Sequence, residues 1–327
     1  MGRFDDIRAS LRNRAASALS EPLARSSTSR RLLLRSPAFI EWITTDPAVR
    51  RHLEDDEGFL ASLHASTRFG ATEPAMHVDV DVSDEQLAAA FERVRETWEK
   101  VGVDEPFWSV LSADEFKRDR LADTDAFYES GRFHVDQLVA TLERHGVDPS
   151  GVGTCLEFGC GVGRITLWLA ERFGHVVGCD ISQPHLDLAA AEFERRGRTG
   201  VDLLRVADRA ALSALPEADL VYSIIVLQHN PPPIMAFILR RLLDSLRSGG
   251  HAVLQIPTHD RRYHFGIDEY LAPDVADGIL MHVLPQPDLF GIVHDAGCVV
   301  REIYADHLAG MAPHTMSNTL VIHRPNE

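Results

Sequence analysis

Between Thr154 and Pro257, short runs of β-branched and apolar residues alternate with stretches of helical periodicity. This alternation narrows the possible folds more than any other feature of the chain. The runs are Thr154 to Phe158, His175 to Asp180, Val201 to Val206, Asp219 to Ile225 and Gly250 to Pro257. Helices are expected between them at Gly163 to Phe173, Gln183 to Arg196 and Ile234 to Leu246. Joining parallel strands takes a crossover, and a helix supplies it while covering one sheet face. Val299 to Asp306 and Asn318 to His323 read as a final strand pair. The expected class is therefore α/β, with a doubly wound, mainly parallel sheet.

Upstream of Val147 the pattern is helical. Phe4, Ile7, Leu11, Ala15 and Leu19 recur at helical spacing before a serine- and arginine-rich break at Arg25 to Arg31. Further helices are expected around Ala38 to Leu63 and from Ser83 to Val101, where Ser83 caps a first turn holding Glu85 and Gln86. Another is expected from Val135 to His145.

A formal charge of -16 repels a phosphate backbone, which disfavours nucleic acid as a partner and favours a small molecule. The first 36 residues run the other way, with eight arginines against Asp5, Asp6 and Glu21, and read as a solvated amphipathic helix and linker. No window approaches the roughly 20 consecutive apolar residues of a membrane span, and no apolar signal core stands near Met1, so no membrane partner and a cytoplasmic location are expected. Met1-Gly2 lacks the Ser or Thr that a myristoylation motif wants at the sixth position, where Asp6 stands. Cys155, Cys160, Cys179 and Cys298 have neither metal-pair spacing nor disulfide density and read as buried reduced thiols.

The segment Cys155-Leu156-Glu157-Phe158-Gly159-Cys160-Gly161-Val162-Gly163-Arg164 passes from a strand directly into a helix. Glycines there permit a sharp turn and leave no Cβ between backbone and ligand. The next strand ends at Asp180, whose carboxylate can accept both hydroxyl protons of a ribose. Loop plus acid read as a nucleoside site. A dinucleotide fingerprint would place its third small residue at position 164, where this chain has bulky Arg164.

The acid-plus-GxGxG form, Glu157 with Gly159, Gly161 and Gly163, instead resembles the first motif of class I S-adenosylmethionine-dependent methyltransferases. The similarity continues through Asp180-Ile181-Ser182, Val206-Ala207-Asp208, Asp219 to His229 and Leu246 to Gly250. It implies a seven-stranded Rossmann-like sheet and S-adenosyl-L-methionine as cofactor, with S-adenosyl-L-homocysteine as product. By position it gives Gly159, Cys160 and Gly161 to the methionine part of the cofactor, with Glu157 near its ammonium. It also places Asp180 on the ribose, Ile181 on the adenine face, and Ile224 and Ile225 beside the cofactor. Asp208 would accept from the adenine amino group, or else cap the helix that follows.

The resemblance also implies an amino-terminal lid, for which Tyr128 and Arg132 are candidates to bind the cofactor carboxylate; the alternative is a packed Tyr and a surface Arg at a helix start. The expected organisation is a basic helix and linker at 1–36, a helical region with the lid at 37–147, and the methyltransferase domain at 148–327. An insert at about 258–286 would line the acceptor pocket through Tyr263, Phe265, Tyr270 and His282, with Gln228 before it. His229 is either a general base or a packing residue. No metal is expected. The favoured activity is O- or N-methylation of a small molecule. A protein methyltransferase and a non-catalytic cofactor-binding scaffold stand as alternatives, and the oligomeric state is open.

Overall fold

A computed structural model of the chain describes residues 76–121, 123–260, 263–273, 278–306, 308–309 and 315–326. The basic stretch at 1–36 and the helix expected around 38–63 lie outside the described residues. The elements run β1 (His77–Val78), α1 (Asp84–Asp104), α2 (Thr124–Arg144), β2 (Thr154–Phe158), α3 (Thr166–Arg172), β3 (His175–Asp180), α4 (Gln183–Arg195) and β4 (Val201–Arg205). Then follow α5 (Arg209–Ser213), β5 (Ala218–Ser223), α6 (Pro232–Asp244), β6 (Leu246–Asp260), β7 (His264–Phe265), α7 (Ile267–Tyr270), α8 (Gln286–Asp295), β8 (Val299–Asp306) and β9 (Thr315–His323).

The main sheet has seven strands in the order β4-β3-β2-β5-β6-β9-β8. Its first five are parallel, and β9 runs antiparallel to both β6 and β8. The chain enters the sheet at β2, proceeds to β3 on one side and later continues to β5 on the other. Connections therefore leave β2 and β5 in opposite directions, opening a crevice beyond their carboxyl ends. Residues of α1, α6 and α8 pack in the core on one face, including Phe91, Val94, Leu239 and Leu289. Phe127, Leu138, Trp168 and Phe193, from α2, α3 and α4, fill the other.

Helix α1 begins where its cap dictates. Ser83 Oγ accepts from Gln86 N at 3.2 Å while Gln86 Oε1 accepts from Ser83 N at 3.0 Å, satisfying two amides that would otherwise lack partners. Helix α2 differs from expectation. It starts at Thr124 rather than Val135, capped by Asp123, so Phe127 to Arg132 lie inside it. Gly131, a residue that disfavours helix interiors, sits there because of a close approach. A Cβ at this position would stand 2.1 Å from the Arg164 carbonyl oxygen. Tertiary contact thus overrides local propensity.

All four cysteines are buried and free, and burial pushes the thiols of Cys155 and Cys160 well up, which leaves them unreactive. Among the described residues no helix is long and apolar enough to cross a membrane.

Candidate active site

The turn after β2 is shaped by three glycines in left-handed backbone, Gly159, Gly161 and Gly163, at φ 76°, 54° and 80°. The amides of Gly159 and Cys160 both donate to the Cys179 carbonyl, at 2.7 and 3.0 Å, bending the loop across the end of β3. Space requires glycine as much as torsion does. A Cβ on Gly159 would lie 2.3 Å from Val226 Cγ1, and one on Gly161 2.7 Å from Val110 Cγ2. Asp180, 8% exposed, closes the loop from the neighbouring strand. Its Oδ2 accepts from Gly161 N at 2.8 Å and its Oδ1 from Ser182 N at 2.9 Å. A carboxylate has about four lone-pair sites, so capacity for two hydroxyl donors remains.

Beyond these strand ends lies a cleft of about 900 Å³. Its roof comes from α1, which presents Phe91, Val94 and Trp98, and from Val110 in the following turn. Helix α1 reaches this position because Gly102 lets it approach α4: a Cβ there would stand 2.4 Å from Ser182 Oγ. The turn is tied down by Ser109. Its hydroxyl donates to the Pro106 carbonyl at 3.0 Å, so it accepts from His185 Nε2, also at 3.0 Å. That leaves His185 Nδ1 unprotonated, buried and without a hydrogen-bond partner, 3.9 Å from Asp180 Oδ1.

Two charged groups line the glycine end of the cleft. Glu157, 4% exposed, accepts from Thr166 Oγ1 at 2.6 Å. Burial pushes its carboxyl up to about 7, against the lowering effect of that hydroxyl and of Arg164. Arg164 is 3% exposed, donates to Ser130 Oγ at 3.3 Å and leaves its Nε unpartnered. Among the described residues no carboxylate lies within ion-pair distance of it. Burial lowers its affinity for the proton, but guanidinium holds its charge. A buried cation without an ion pair is costly, and an anionic ligand would relieve that cost.

Of the expected cofactor residues, the cleft gathers Glu157, Gly159, Cys160, Gly161, Asp180 and Ile181, and with them Ile224 and Ile225. The two lid candidates, Tyr128 and Arg132, are not among its lining residues. Tyr128 is buried in the α2 core with its hydroxyl donating to the Val162 carbonyl at 3.1 Å. Arg132 lies over the Trp168 ring, 4.0 Å from its centroid, and pairs with Glu129 at 2.9 Å. Asp208 is exposed and caps α5 by accepting from Ala211 N at 2.8 Å.

His229 lines the far side of the cleft, its ring edge-on to Trp98 with centroids 5.6 Å apart. Burial lowers its affinity for the proton, so the imidazole is neutral near pH 7. His229, Trp98 and Val94 also wall a smaller space of about 330 Å³, which Tyr270 and His282 border from the insert. Tyr263 stands behind them, its hydroxyl 2.8 Å from His282 Nδ1, and Phe265 is core. Gln228 is buried at the side of His229. Trp98, Val110, Arg164 and His185 are site residues that the sequence reading missed. The i, i+3, i+7 spacing of Phe91, Val94 and Trp98 marked an apolar stripe but not what it covers. Among the described residues no group of three His, Cys, Asp or Glu side chains could hold a metal.

Known proteins are similar to parts of this chain. Residues 156–252 match the family model of a methyltransferase domain. The chain is 27% identical over 162 residues to the ubiquinone biosynthesis O-methyltransferase of Aeromonas salmonicida (strain A449), covering 48% of this chain and 67% of that protein. Among solved structures it is similar to magnesium protoporphyrin IX methyltransferase from Synechocystis PCC 6803 with bound SAH, at 21% identity and a TM-score of 0.49, over 71% of this chain and 98% of that one. It is also similar to an N-methyltransferase from Bradyrhizobium japonicum WM9 in complex with S-adenosyl-l-homocysteine, at 17% identity and a TM-score of 0.45, over 70% and 99% of the two chains. Motif, sheet order and family match agree: residues 156–252 form a methyltransferase domain on a Rossmann-like sheet.

Proposed function

We propose that this protein transfers the methyl group of S-adenosylmethionine to a small-molecule acceptor, by O- or N-methylation, in the cleft beneath α1. One observation carries the reading: the cleft sets the Asp180 carboxylate beside two buried groups, a carboxyl (Glu157) and a guanidinium (Arg164), that suit the two ends of an amino-acid zwitterion. The cofactor's ammonium would lie toward Glu157. Its carboxylate would go to Arg164, a role given to Tyr128 and Arg132 when only the sequence is considered. Ile181 and Val206 offer apolar surface for adenine, and the glycine turn admits the methionine chain without a Cβ in its way.

An apolar roof of Phe91, Val94 and Trp98 over the cleft favours a small organic acceptor over an extended polypeptide. The O-methyltransferase from Aeromonas salmonicida, by its name, supports a reaction of this kind. The sulfonium-bound methyl is electrophilic by itself. The chain's tasks are therefore to orient the acceptor, exclude water and take away a proton. His229 is the candidate for the last task.

Calorimetric titration with S-adenosylmethionine and S-adenosylhomocysteine tests the cofactor site, and wild-type protein binding neither would overturn the reading. Incubation with methyl-labelled cofactor and an extract of the source cells tests the acceptor. A labelled small molecule is expected, and label confined to polypeptide would refute that part.

A further inference from the structure

The groups behind His229 have a polarity that can be followed atom by atom from the main chain. Ile225 is the one non-glycine residue with positive φ among those described, at 60°, and its amide donates to Gln255 Oε1 at 2.8 Å. A backbone N–H is always a donor, so that contact fixes which end of the Gln255 amide is oxygen. Gln255 Nε2 then donates to Gln228 Oε1 at 3.0 Å and to Ser317 Oγ at 2.7 Å. The Gln228 amide is oriented in turn, and its Nε2 faces His229 Nε2 at 3.3 Å. On the other side of the ring, His229 Nδ1 meets the Leu280 carbonyl at 3.1 Å. A carbonyl only accepts, so Nδ1 carries the proton and Nε2 the lone pair. Both glutamines are buried, Gln255 at 0% and Gln228 at 3% exposure.

The Gln228–His229 contact is the longest of the series. A group entering between the two nitrogens must accept from the amide of Gln228 and donate to the imidazole of His229. A hydroxyl does both and keeps a second lone pair for attack on the methyl carbon; a protonated amine cannot accept, and a neutral amine that accepts from Gln228 has no lone pair left to attack. Among the described residues the acids lining the cleft are Glu157 and Asp180, both at its glycine end, and none of the residues that wall the smaller space with His229 is a carboxylate. Across the smaller space burial pushes His282 down to about 4 and so keeps it neutral, and Tyr270 and the Arg93 guanidinium also border that space.

We propose that the methyl acceptor is a hydroxyl compound whose oxygen accepts from Gln228 Nε2 and donates to His229 Nε2, with Gln255 as the positioning residue that sets the direction of both bonds. The proposal rests on the methyltransferase reading of the cleft. In the reaction the acceptor's proton passes to His229 Nε2 as its oxygen bonds to the methyl carbon, whose bond to sulfur breaks with the electron pair remaining on sulfur. The products are a methylated oxygen, a neutral thioether and an imidazolium.

The test is ¹⁵N NMR of the His229 ring in the full-length protein with S-adenosylhomocysteine added. Wild-type protein should show a protonated Nδ1 and an unprotonated Nε2 near pH 7. In Gln255→Glu the carboxylate has no proton to give Gln228 Oε1. That amide should turn its oxygen to His229, raising the ring's titration by about one pH unit or more. Gln228→Glu places a carboxylate at the ring directly and should give the same shift if the first variant folds poorly. With methyl-labelled cofactor, the label should appear as an O-methyl group. A protonated Nε2 in wild type, a ring unmoved by Gln228→Glu, or an N-methyl product would each overturn the proposal. Failure of wild-type protein to bind S-adenosylhomocysteine would instead sink the cofactor reading, while the ring nitrogens still decide the positioning role.

Discussion

Arg164 shows most directly how one side chain changes meaning between sequence and structure. In the sequence its bulk argues against a dinucleotide turn; in the fold it is a buried guanidinium lining the cleft without an ion pair. Charge-assisted hydrogen bonds contribute about 1.5–3 kcal/mol, so Arg164→Met should weaken S-adenosylhomocysteine binding roughly 10- to 100-fold. Affinity for 5′-methylthioadenosine, which lacks the amino-acid end, should stay nearly constant. Equal losses for both ligands in calorimetry would remove Arg164 from the carboxylate role. Glu157 gives a second test. Its carboxyl, raised to about 7, is mostly protonated in the free protein at pH 6 and would be ionised beside the ammonium of the proposed cofactor. Binding should therefore release a proton at pH 6, release less as pH rises past 7, and tighten over that interval. Titrations at pH 6 in buffers of different ionisation enthalpy would detect the release, and Glu157→Gln should abolish it. The same sign applies to folding: a carboxyl raised above its unfolded value of 4.5 costs the free protein stability as pH climbs from there toward 7.

Among the elements, α1 rather than α2 lines the cleft. The lid was expected from the segment holding Tyr128 and Arg132, but those residues belong to the middle of α2, where Gly131 lets the helix press against the Arg164 carbonyl. Gly131→Ala should lower stability by about 2 kcal/mol or more, since the added methyl meets main chain rather than a yielding side chain. Thermal unfolding would show it, and an unchanged midpoint would contradict the packing described. The roof is α1, and Trp98 is its contact with both the cleft and His229. Ligand binding should change Trp98 fluorescence, a signal lost in Trp98→Phe while cofactor affinity falls only modestly. The limits of β2, β3 and β8 match the expected runs at both ends because each run is bounded by turn signals. Strand β6 extends past its expected ends, since pairing with β5 and β9 carries it over residues that lack a strand pattern of their own.

For the whole molecule, the order β4-β3-β2-β5-β6-β9-β8 places a crevice at the carboxyl ends of β2 and β5 and lets α1 cover it. A ligand held there bridges the glycine loop, the end of β3 and the roof, so it should stabilise the native state as a unit. At a ligand concentration 100 times Kd the gain is about 2.7 kcal/mol, a shift that differential scanning fluorimetry resolves. Asp180→Ala should show almost none of it, because its carboxylate holds the loop and, in the proposed function, the ribose.

The amino-acid order alone was enough for the alternating α/β pattern, the glycine turn, Glu157 and Asp180, because each depends on short-range features: apolar period, turn torsion and the residue at a strand's end. Which helix covers the cleft, that Arg164 is left without a carboxylate, and how Gln255 and Gln228 orient His229 depend on residues far apart in the chain. Their partners are brought together by sheet pairing and helix packing, and no local pattern encodes which buried donor meets which acceptor.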